Sequence, residues 1–286
     1  MAKKSREAGN SPLVVAPHPF LKWAGGKRHL LPELLKRVPE SFNTYYEPFL
    51  GGGALFFALQ PKRAILSDVN DELVTTYQVV KSKVDNLLLR LRELERGHVK
   101  EGLKHYLKVR EDSLSVEARV AVASRMIYLN KTCFNGLYRV NLEGKFNVPM
   151  GKFATPPLIC DEANLRACSV ALKGDVTVLC DDYKMALCVP DPGDFVYLDP
   201  PYLPRTSASF TKFTKEGFGL KEHIELAKWV RKLKERGVHI LLSNAGTKTV
   251  RDLYPERFFK VEEVAGRRSI SCHSDTREPV TEFLIS

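Results

Sequence analysis

The chain has 286 residues, of which 44% are hydrophobic, so it is long enough for one or two domains with a packed core. Its net charge of +10 favours a polyanionic partner, although a solvated basic face on an ordinary protein explains the same charge. The six cysteines contain no C-x-x-C pair, which argues against a zinc site and a disulfide framework, and no apolar run approaches the ~20 residues of a membrane span.

The amino-terminal stretch from Met1 to Pro19 is charged and lacks the apolar segment of a secretory signal. We predict a flexible arm, and both contact with DNA phosphates and plain disorder are consistent with its composition. The next segment, Phe20–Lys27, combines the flat apolar wall of Trp23, a glycine pair and the point charge of Lys27. This combination suits a ligand that carries a carboxylate, and a surface loop with a partly buried tryptophan is the plainer alternative.

Two segments that follow predict a cofactor pocket. Tyr45–Phe57 has the pattern of a strand, a glycine loop and a helix, without the Lys-Ser or Lys-Thr of a phosphate-binding loop. Ala64–Asn70 contains an apolar strand that ends in Asp68, 17 residues after Gly51. An acid about 20 residues past the glycines, at the end of the second strand, can bind ribose hydroxyls. Nicotinamide and S-adenosylmethionine sites share this acid, and a helix cap or an ordinary strand-to-helix turn explains the same residues.

The middle of the chain departs from the alternating pattern. We predict a long helix over Asp71–Arg96 that ends near Gly97, and an amphipathic helix over Ser115–Asn130 with Ser115 as its cap. The segment Lys131–Pro149 has two turn signals around short alternating stretches, which predicts a β-hairpin. Such a hairpin could enter a groove of DNA, or it could only cover the helices.

The α/β pattern resumes after Cys160. Predicted strands are Val176–Cys180, Phe195–Leu198, His239–Ser243 and Glu282–Ile285, and Leu220–Arg236 is a predicted helix that ends at Gly237. The acidic loop after Val176–Cys180, beginning at Asp181, lies where a cofactor adenine would bind.

The tetrapeptide Asp199-Pro200-Pro201-Tyr202 carries the chemistry. It follows a buried strand, and ligands of open α/β sheets bind at the carboxyl ends of strands. The Asp199 carboxylate and the Pro200 carbonyl can each accept one N–H of an exocyclic amine, while Tyr202 can stack on an extruded base. A turn followed by a tyrosine in the core is the alternative for the tetrapeptide alone.

Together, these motifs and their order resemble the Dam-type DNA adenine-N6 methyltransferases, of the D12 class with the α-group order of motifs. The resemblance runs from about Phe20 to the carboxyl end, and the segments that carry it are Phe20–Lys27, Glu47–Gly53, Ser67–Asn70, Asn130–Gly151, Asp199–Tyr202 and Arg267–Ser271. It implies that S-adenosylmethionine is contacted by Trp23, Lys27, Asp68 and Asp199. It also implies that the catalytic residues are Asp199, Pro200 and Tyr202.

The resemblance further implies that the target is adenine within GATC in double-stranded DNA. Lys22 matches the residue that reads the outer guanine, and Arg139 matches the hairpin arginine that reads a second guanine. Leu137 and Pro149 match apolar contacts to thymine methyls. Phe134 lies where a Tyr is common and matches a side chain that wedges into the duplex, with Asn135 beside the base left without its partner. Contacts to phosphate alone are the alternative.

We therefore predict an α/β fold with a mostly parallel, Rossmann-like sheet of the S-adenosylmethionine-dependent methyltransferases. Residues 20–70 and 160–286 form the catalytic domain, and residues 71–159 form an inserted, mainly helical target-recognition domain that carries a β-hairpin. Residues 1–19 are the flexible arm. We expect a cytoplasmic monomer that acts on DNA, that needs no metal and that does not associate with a membrane.

Methyl transfer is predicted to be direct, with S-adenosylhomocysteine as the product, because the sulfonium already activates the methyl group. No Pro-Cys pair occurs in the chain, which argues against methylation of cytosine carbon-5. Three alternatives stay open: an N4-cytosine methyltransferase, a DNA-binding protein that has lost catalysis, and a nicotinamide oxidoreductase.

Overall fold

A seven-stranded sheet with the order β3-β2-β1-β4-β5-β7-β6 organises the protein. The computed structural model describes residues 15–115, 117–203, 218–266 and 280–286. The strands are β1 (Tyr45–Glu47), β2 (Arg63–Asp68), β3 (Asp175–Cys180), β4 (Phe195–Leu198), β5 (His239–Ala245), β6 (Val261–Gly266) and β7 (Val280–Ile285). Strands β1 to β5 all run parallel, and β7 is antiparallel to both β5 and β6. The predicted α/β class and mostly parallel sheet are confirmed.

Helices surround the sheet, so its central strands are apolar on both faces. Every residue of β1 and β4 is buried, whereas β3, at an edge, alternates between exposed and buried over its first four residues. The helices are α1 (Leu31–Leu35), α2 (Ala54–Leu59), α3 (Asp71–Ser82), α4 (Val84–Glu101), α5 (Leu103–Glu111), α6 (Arg119–Thr132), α7 (Glu162–Leu172), α8 (Tyr183–Leu187), α9 (Leu220–Glu235) and α10 (Lys248–Leu253). In the described part of the chain, no helix is long and apolar enough to cross a membrane.

The predicted helix over Asp71–Arg96 is wrong, because two helices occupy that stretch and the second extends beyond it. Lys83 leaves helical geometry with φ −137° and ψ 37°, which ends α3 and starts α4. Gly97 lies inside α4, which ends instead at Gly102, a residue with φ +52° that suits glycine. The following predicted helix starts at Arg119 rather than at Ser115, since Ala118 is its cap and no side chain caps it.

The predicted hairpin is a hairpin-shaped loop rather than a pair of regular strands. Two isolated antiparallel bridges join Cys133 to Met150 and Val140 to Phe146. Its first turn is a short 3-10 segment in which Asn135 has φ +54° and Gly136 has φ +66°. These left-handed residues interrupt the extended backbone that a ladder requires.

The division into a catalytic domain and an insert over 71–159 stays a prediction. Helix α3 packs against α6, but also against β2, β3 and α7 of the flanking segments. Most of the predicted arm, residues 1–14, lies outside the described residues, as does the segment Arg267–Ser271.

Candidate active site

The order of the strands reverses at β1, which lies between β2 and β4. The glycine loop after β1 and the tetrapeptide after β4 therefore meet at the carboxyl edge of the sheet. Open α/β sheets bind their ligands at such a reversal point. The topology thus brings together two of the motifs that the sequence places far apart.

Lys27 and Asp199 form an ion pair at this edge, with 2.9 Å between Nζ and Oδ1. Lys27 also donates to the carbonyl of Gly25 at 2.6 Å, and its ammonium lies 4.5 Å from the centroid of the Tyr202 ring. Burial raises the pKa of the Asp199 carboxyl, while Lys27 and the hydroxyl of Ser243 oppose that rise. Two cofactor-binding candidates, Lys27 and Asp199, therefore contact each other, and Lys27 also contacts the ring of Tyr202, a catalytic candidate.

Ser243, which sequence reasoning missed, also binds the Asp199 carboxylate. Its hydroxyl donates to Oδ1 at 2.9 Å and lies 3.2 Å from the hydroxyl of Tyr197. Ser243 reaches Asp199 because β5 pairs with β4 in parallel. The one sequence signal for Ser243 was its position near the end of a predicted strand. That signal points to Asp199 only once the order of the strands is known, and the sequence does not show that order.

Tyr202 is held by a second unpredicted residue. Its hydroxyl donates to Oε2 of Glu282 at 2.6 Å, and Glu282 is buried in β7. The other oxygen of Glu282 lies 3.4 Å from Nε2 of His29. The ring of Tyr202 is therefore fixed at its hydroxyl end and covered on one face by the ammonium of Lys27.

The backbone of the tetrapeptide is held by His223 of α9, which is fully buried. Its Nε2 donates to the carbonyl of Pro201 at 3.0 Å, and Asn244 lies 3.4 Å from its Nδ1. The carbonyl can only accept, so we assign the proton to Nε2. Burial lowers the pKa of His223, which keeps the ring neutral.

Asp68 lies under the glycine loop. Its Oδ2 accepts the N–H of Gly51 at 3.0 Å and its Oδ1 accepts the N–H of Asn70 at 3.0 Å. Asn70, and not Asp68, caps α3 by accepting from Leu73. Burial raises the pKa of Asp68. Each carboxylate oxygen has a second lone pair, so both can still accept a hydrogen bond from a ligand hydroxyl.

Glu47 is a further buried acid beside the glycine loop. The hydroxyl of Tyr45 donates to its Oε2 at 2.8 Å. Burial raises the pKa of Glu47 to about 8, with the charge of Asp199 adding to the rise. Glu47 is therefore largely protonated at neutral pH, and the edge of the sheet carries less negative charge than its sequence suggests.

Trp23 lies between the glycine loop and the hairpin-shaped loop. A Cβ on Gly51, which has φ +46°, would stand 2.7 Å from Cδ1 of Trp23, so this position requires glycine. On the hairpin side, the indole stacks on Tyr138 with 5.6 Å between ring centroids and 28° between planes. The buried side chain of Asn130 accepts from the N–H of Lys22 and donates to the carbonyls of Lys22 and Gly136.

The candidate DNA-binding residues lie along this same loop. Lys22, Phe134, Arg139 and Pro149 are exposed, and Leu137 is partly buried against the core. Asn135 occupies the left-handed turn, and the carbonyl of Pro149 accepts from the N–H of Phe134 at 2.9 Å. Arg139 donates from Nε to the side-chain oxygen of Asn147 at 2.7 Å. Lys22 lies beside the Phe134–Gly136 turn because Asn130 bonds to the backbone of both Lys22 and Gly136. Arg139 lies further along the loop.

Comparison with known proteins agrees with this geometry. The chain matches the family model of the D12 class N6 adenine-specific DNA methyltransferases over residues 23–270. It is 39% identical over 287 residues to a Type II methyltransferase of Methanocaldococcus jannaschii, covering 93% of this chain and 98% of that protein. It is 35% identical over 274 residues to a Type II methyltransferase of Lactococcus lactis subsp. cremoris, covering 94% of each. It is also 35% identical over 266 residues to the DNA adenine methylase of Escherichia coli, covering 93% of each.

Proposed function

The chain belongs to the D12 class of N6 adenine-specific DNA methyltransferases, and from this premise we propose that it methylates an adenine extruded from double-stranded DNA, within the sequence GATC. Membership of the class implies S-adenosylmethionine as the methyl donor and DNA as the substrate. The observation that carries the proposal is the position of Asp199. Its carboxylate stands at the carboxyl end of β4, paired with Lys27 and facing the glycine loop across the reversal point of the sheet.

The residues of the pocket fit the methyl donor. The glycine loop packs directly on Trp23, a flat apolar wall for the cofactor, because Gly51 has no Cβ, and Asp68 below the loop offers acceptors for ribose hydroxyls. Lys27 and Asp199 supply one positive and one negative charge for the amino-acid end of the cofactor. The bound donor supplies a methyl group already activated by its sulfonium, so the protein needs no nucleophile of its own.

Asp199 and Pro200 orient the adenine amine. Lys27 and Ser243 both approach Oδ1 of Asp199, so we assign Oδ2 to accept one N–H of the amine. The Pro200 carbonyl accepts the other N–H, which favours a pyramidal nitrogen with an available lone pair. Tyr202, fixed by Glu282, stacks on the extruded base. Positioning and electrostatics then carry the methyl transfer.

The hairpin-shaped loop with Lys22 reads the sequence. Lys22 and Arg139 recognise guanines through their acceptor edges, while Leu137 and Pro149 contact thymine methyls. Phe134 and Asn135 replace the extruded base in the stack. In support, Phe134, Arg139 and Pro149 are exposed on the hairpin-shaped loop, and the exposed Lys22 is held beside that loop through Asn130. We further propose that residues 71–159 act as the target-recognition domain and that the protein is a monomer.

One assay tests the proposal. The protein is incubated with tritiated S-adenosylmethionine and unmethylated duplexes that contain GATC or a singly altered site, and the labelled nucleoside is identified. We expect labelled N6-methyl-2′-deoxyadenosine from the GATC duplex. Labelled N4-methylcytosine would replace the proposal by the cytosine alternative, and the absence of label with intact DNA binding would indicate a DNA-binding protein without catalysis. Asp199→Ala is the matched control and should bind DNA without methylating it.

A further inference from the structure

The stack between Trp23 and Tyr138 joins the two halves of the proposed site. Trp23 contacts the glycine loop on one side, where a Cβ at Gly51 would meet it at 2.7 Å. On the other side it stacks on Tyr138, at 5.6 Å between centroids. Tyr138 directly precedes Arg139, the residue to which we assign recognition of a guanine. One aromatic pair therefore connects the cofactor side of the pocket with the DNA-reading loop.

Tyr138 is itself fixed from behind. Its hydroxyl donates to Oε2 of Glu72 at 2.9 Å, and Glu72 lies in the first turn of α3, just after the Asp68 strand. The other oxygen of Glu72 accepts from Arg125 at 3.3 Å. Arg125 in turn donates to the backbone carbonyls of Val109 at 3.0 Å and Arg110 at 2.7 Å. Burial raises the pKa of Tyr138, so its hydroxyl stays a neutral donor.

We propose that Tyr138 is a positioning residue that couples the two substrates: it holds the indole of Trp23 in its cofactor-binding position while the loop around it binds DNA. This inference rests on the proposed function. Because Tyr138 is bonded at its hydroxyl and stacks on Trp23, its position restricts the positions that the indole can take. DNA that fixes the loop therefore fixes Trp23, and ligand bound at Trp23 fixes the loop. Thermodynamic linkage makes the two effects equal.

A purely structural role for Tyr138 predicts something different. Tyr138 also contacts Phe146 edge to face, with centroids 6.0 Å apart, and this contact could serve only to stabilise the loop. In that case, replacement of either ring would weaken DNA binding and leave the cofactor side unchanged. In the described part of the chain, Phe146 contacts Tyr138 but does not stack on Trp23, so Phe146→Leu is the matched control.

The first measurement is the dissociation constant of S-adenosylhomocysteine, by calorimetry, with and without a saturating GATC duplex. We expect the duplex to tighten binding to the wild type by about fivefold or more, the lower end of allosteric couplings. Tyr138→Met should reduce this ratio to near one and weaken binding without DNA. Tyr138→Phe, which keeps the ring, and Phe146→Leu should retain most of the ratio. A wild-type ratio in Tyr138→Met, or a ratio of one in the wild type, overturns the proposal.

The second measurement has a first step that needs no Tyr138 variant. The chain has two tryptophans, so Trp229→Phe leaves Trp23 as the single fluorescent indole. Addition of the GATC duplex without cofactor should change the Trp23 emission, and Tyr138→Met in this background should abolish the change. No response in the Trp229→Phe protein overturns the coupling. Failure of that protein to methylate adenine would instead overturn the proposed function, so the two failures are distinguishable.

Discussion

The ammonium of Lys27 lies 2.9 Å from Oδ1 of Asp199, and the two side chains are 5% and 19% exposed. Burial of a carboxyl group disfavours its charged form, and a neighbouring cation favours it. At Asp199 the two effects oppose each other, and burial is the larger, since the pKa remains above its ordinary value. Lys27 therefore limits the rise that burial would otherwise impose on the pKa of Asp199, the acid that we propose orients the amine.

Lys27→Met should move the acid limb of the pH–rate profile to higher pH. Asp199 must be ionised to accept an amine hydrogen, and loss of an adjacent cation raises a carboxyl pKa by about 1–3 units. The measurement is kcat between pH 5 and 9 at saturating cofactor. Lys36→Met, which removes an exposed lysine paired with Glu33, is the control and should leave the profile unchanged. An unshifted limb in Lys27→Met would show that Asp199 does not carry the acid limb.

Local motifs could be predicted from the sequence because each is a strand followed by its own loop. Phe195–Leu198 is β4 as predicted, and Asp199 follows it at the carboxyl edge of the sheet. The resemblance to the D12 class is confirmed by the family match. The catalytic role of Asp199 and the DNA sequence that the hairpin-shaped loop recognises stay predictions.

Contacts between motifs could not be predicted, because they depend on the order of strands. Ser243 bonds to Asp199 because β5 lies beside β4 in the sheet. Glu282 bonds to Tyr202 because β7 lies between β5 and β6. The break at Lys83 was missed for a different reason. No proline or glycine marks it, and it is seen only in the folded protein, where α3 and α4 both pack against α6.

Tyr202→Phe and Glu282→Leu should each lower kcat by roughly tenfold, which corresponds to about 1.4 kcal/mol. Phenylalanine keeps the stacking surface and loses only the 2.6 Å bond to Glu282, so the loss reports orientation of the ring. The double variant should be no slower than the more affected single variant, because both changes remove the same bond. Additive losses in single-turnover assays would mean that Glu282 acts through another residue, and His29→Ala tests the nearest candidate.

Glu47→Gln should remove a pH dependence of stability. Burial raises the pKa of Glu47 to about 8 in the folded protein. The unfolded chain releases this proton near pH 4.3, so the stabilising contribution present at low pH is lost as pH rises toward 8, at up to about 1.4 kcal/mol per pH unit. The free energy of unfolding by urea, measured from pH 5 to 8, should therefore fall more steeply for wild type than for Glu47→Gln. Parallel curves would contradict the assignment, and Glu40→Gln at the surface is the control.

Arg139→Ala should relax selectivity at one base pair of GATC by roughly 1–3 kcal/mol, the discrimination that a bidentate contact to guanine supplies. The guanidinium is already oriented in the free protein by Asn147, whose side-chain oxygen accepts from Nε at 2.7 Å and whose backbone carbonyl accepts from Nη2 at 3.2 Å. Asn147→Ala keeps the charge of Arg139 and the backbone bond and loses only the side-chain bond, so its effect on selectivity should be smaller. The measurement is kcat/KM on GATC and on each singly altered duplex.

Lys145→Ala, measured on the same duplexes, distinguishes recognition of a base from a general contribution of positive charge to DNA binding. Lys145 is exposed at the tip of the same loop, where it pairs with Glu143. Its removal should weaken methylation of all duplexes by a similar factor, because a contact to phosphate carries no sequence information. The assignment of Arg139 fails if Arg139→Ala behaves like Lys145→Ala, or if the wild type methylates adenines with no preference for GATC.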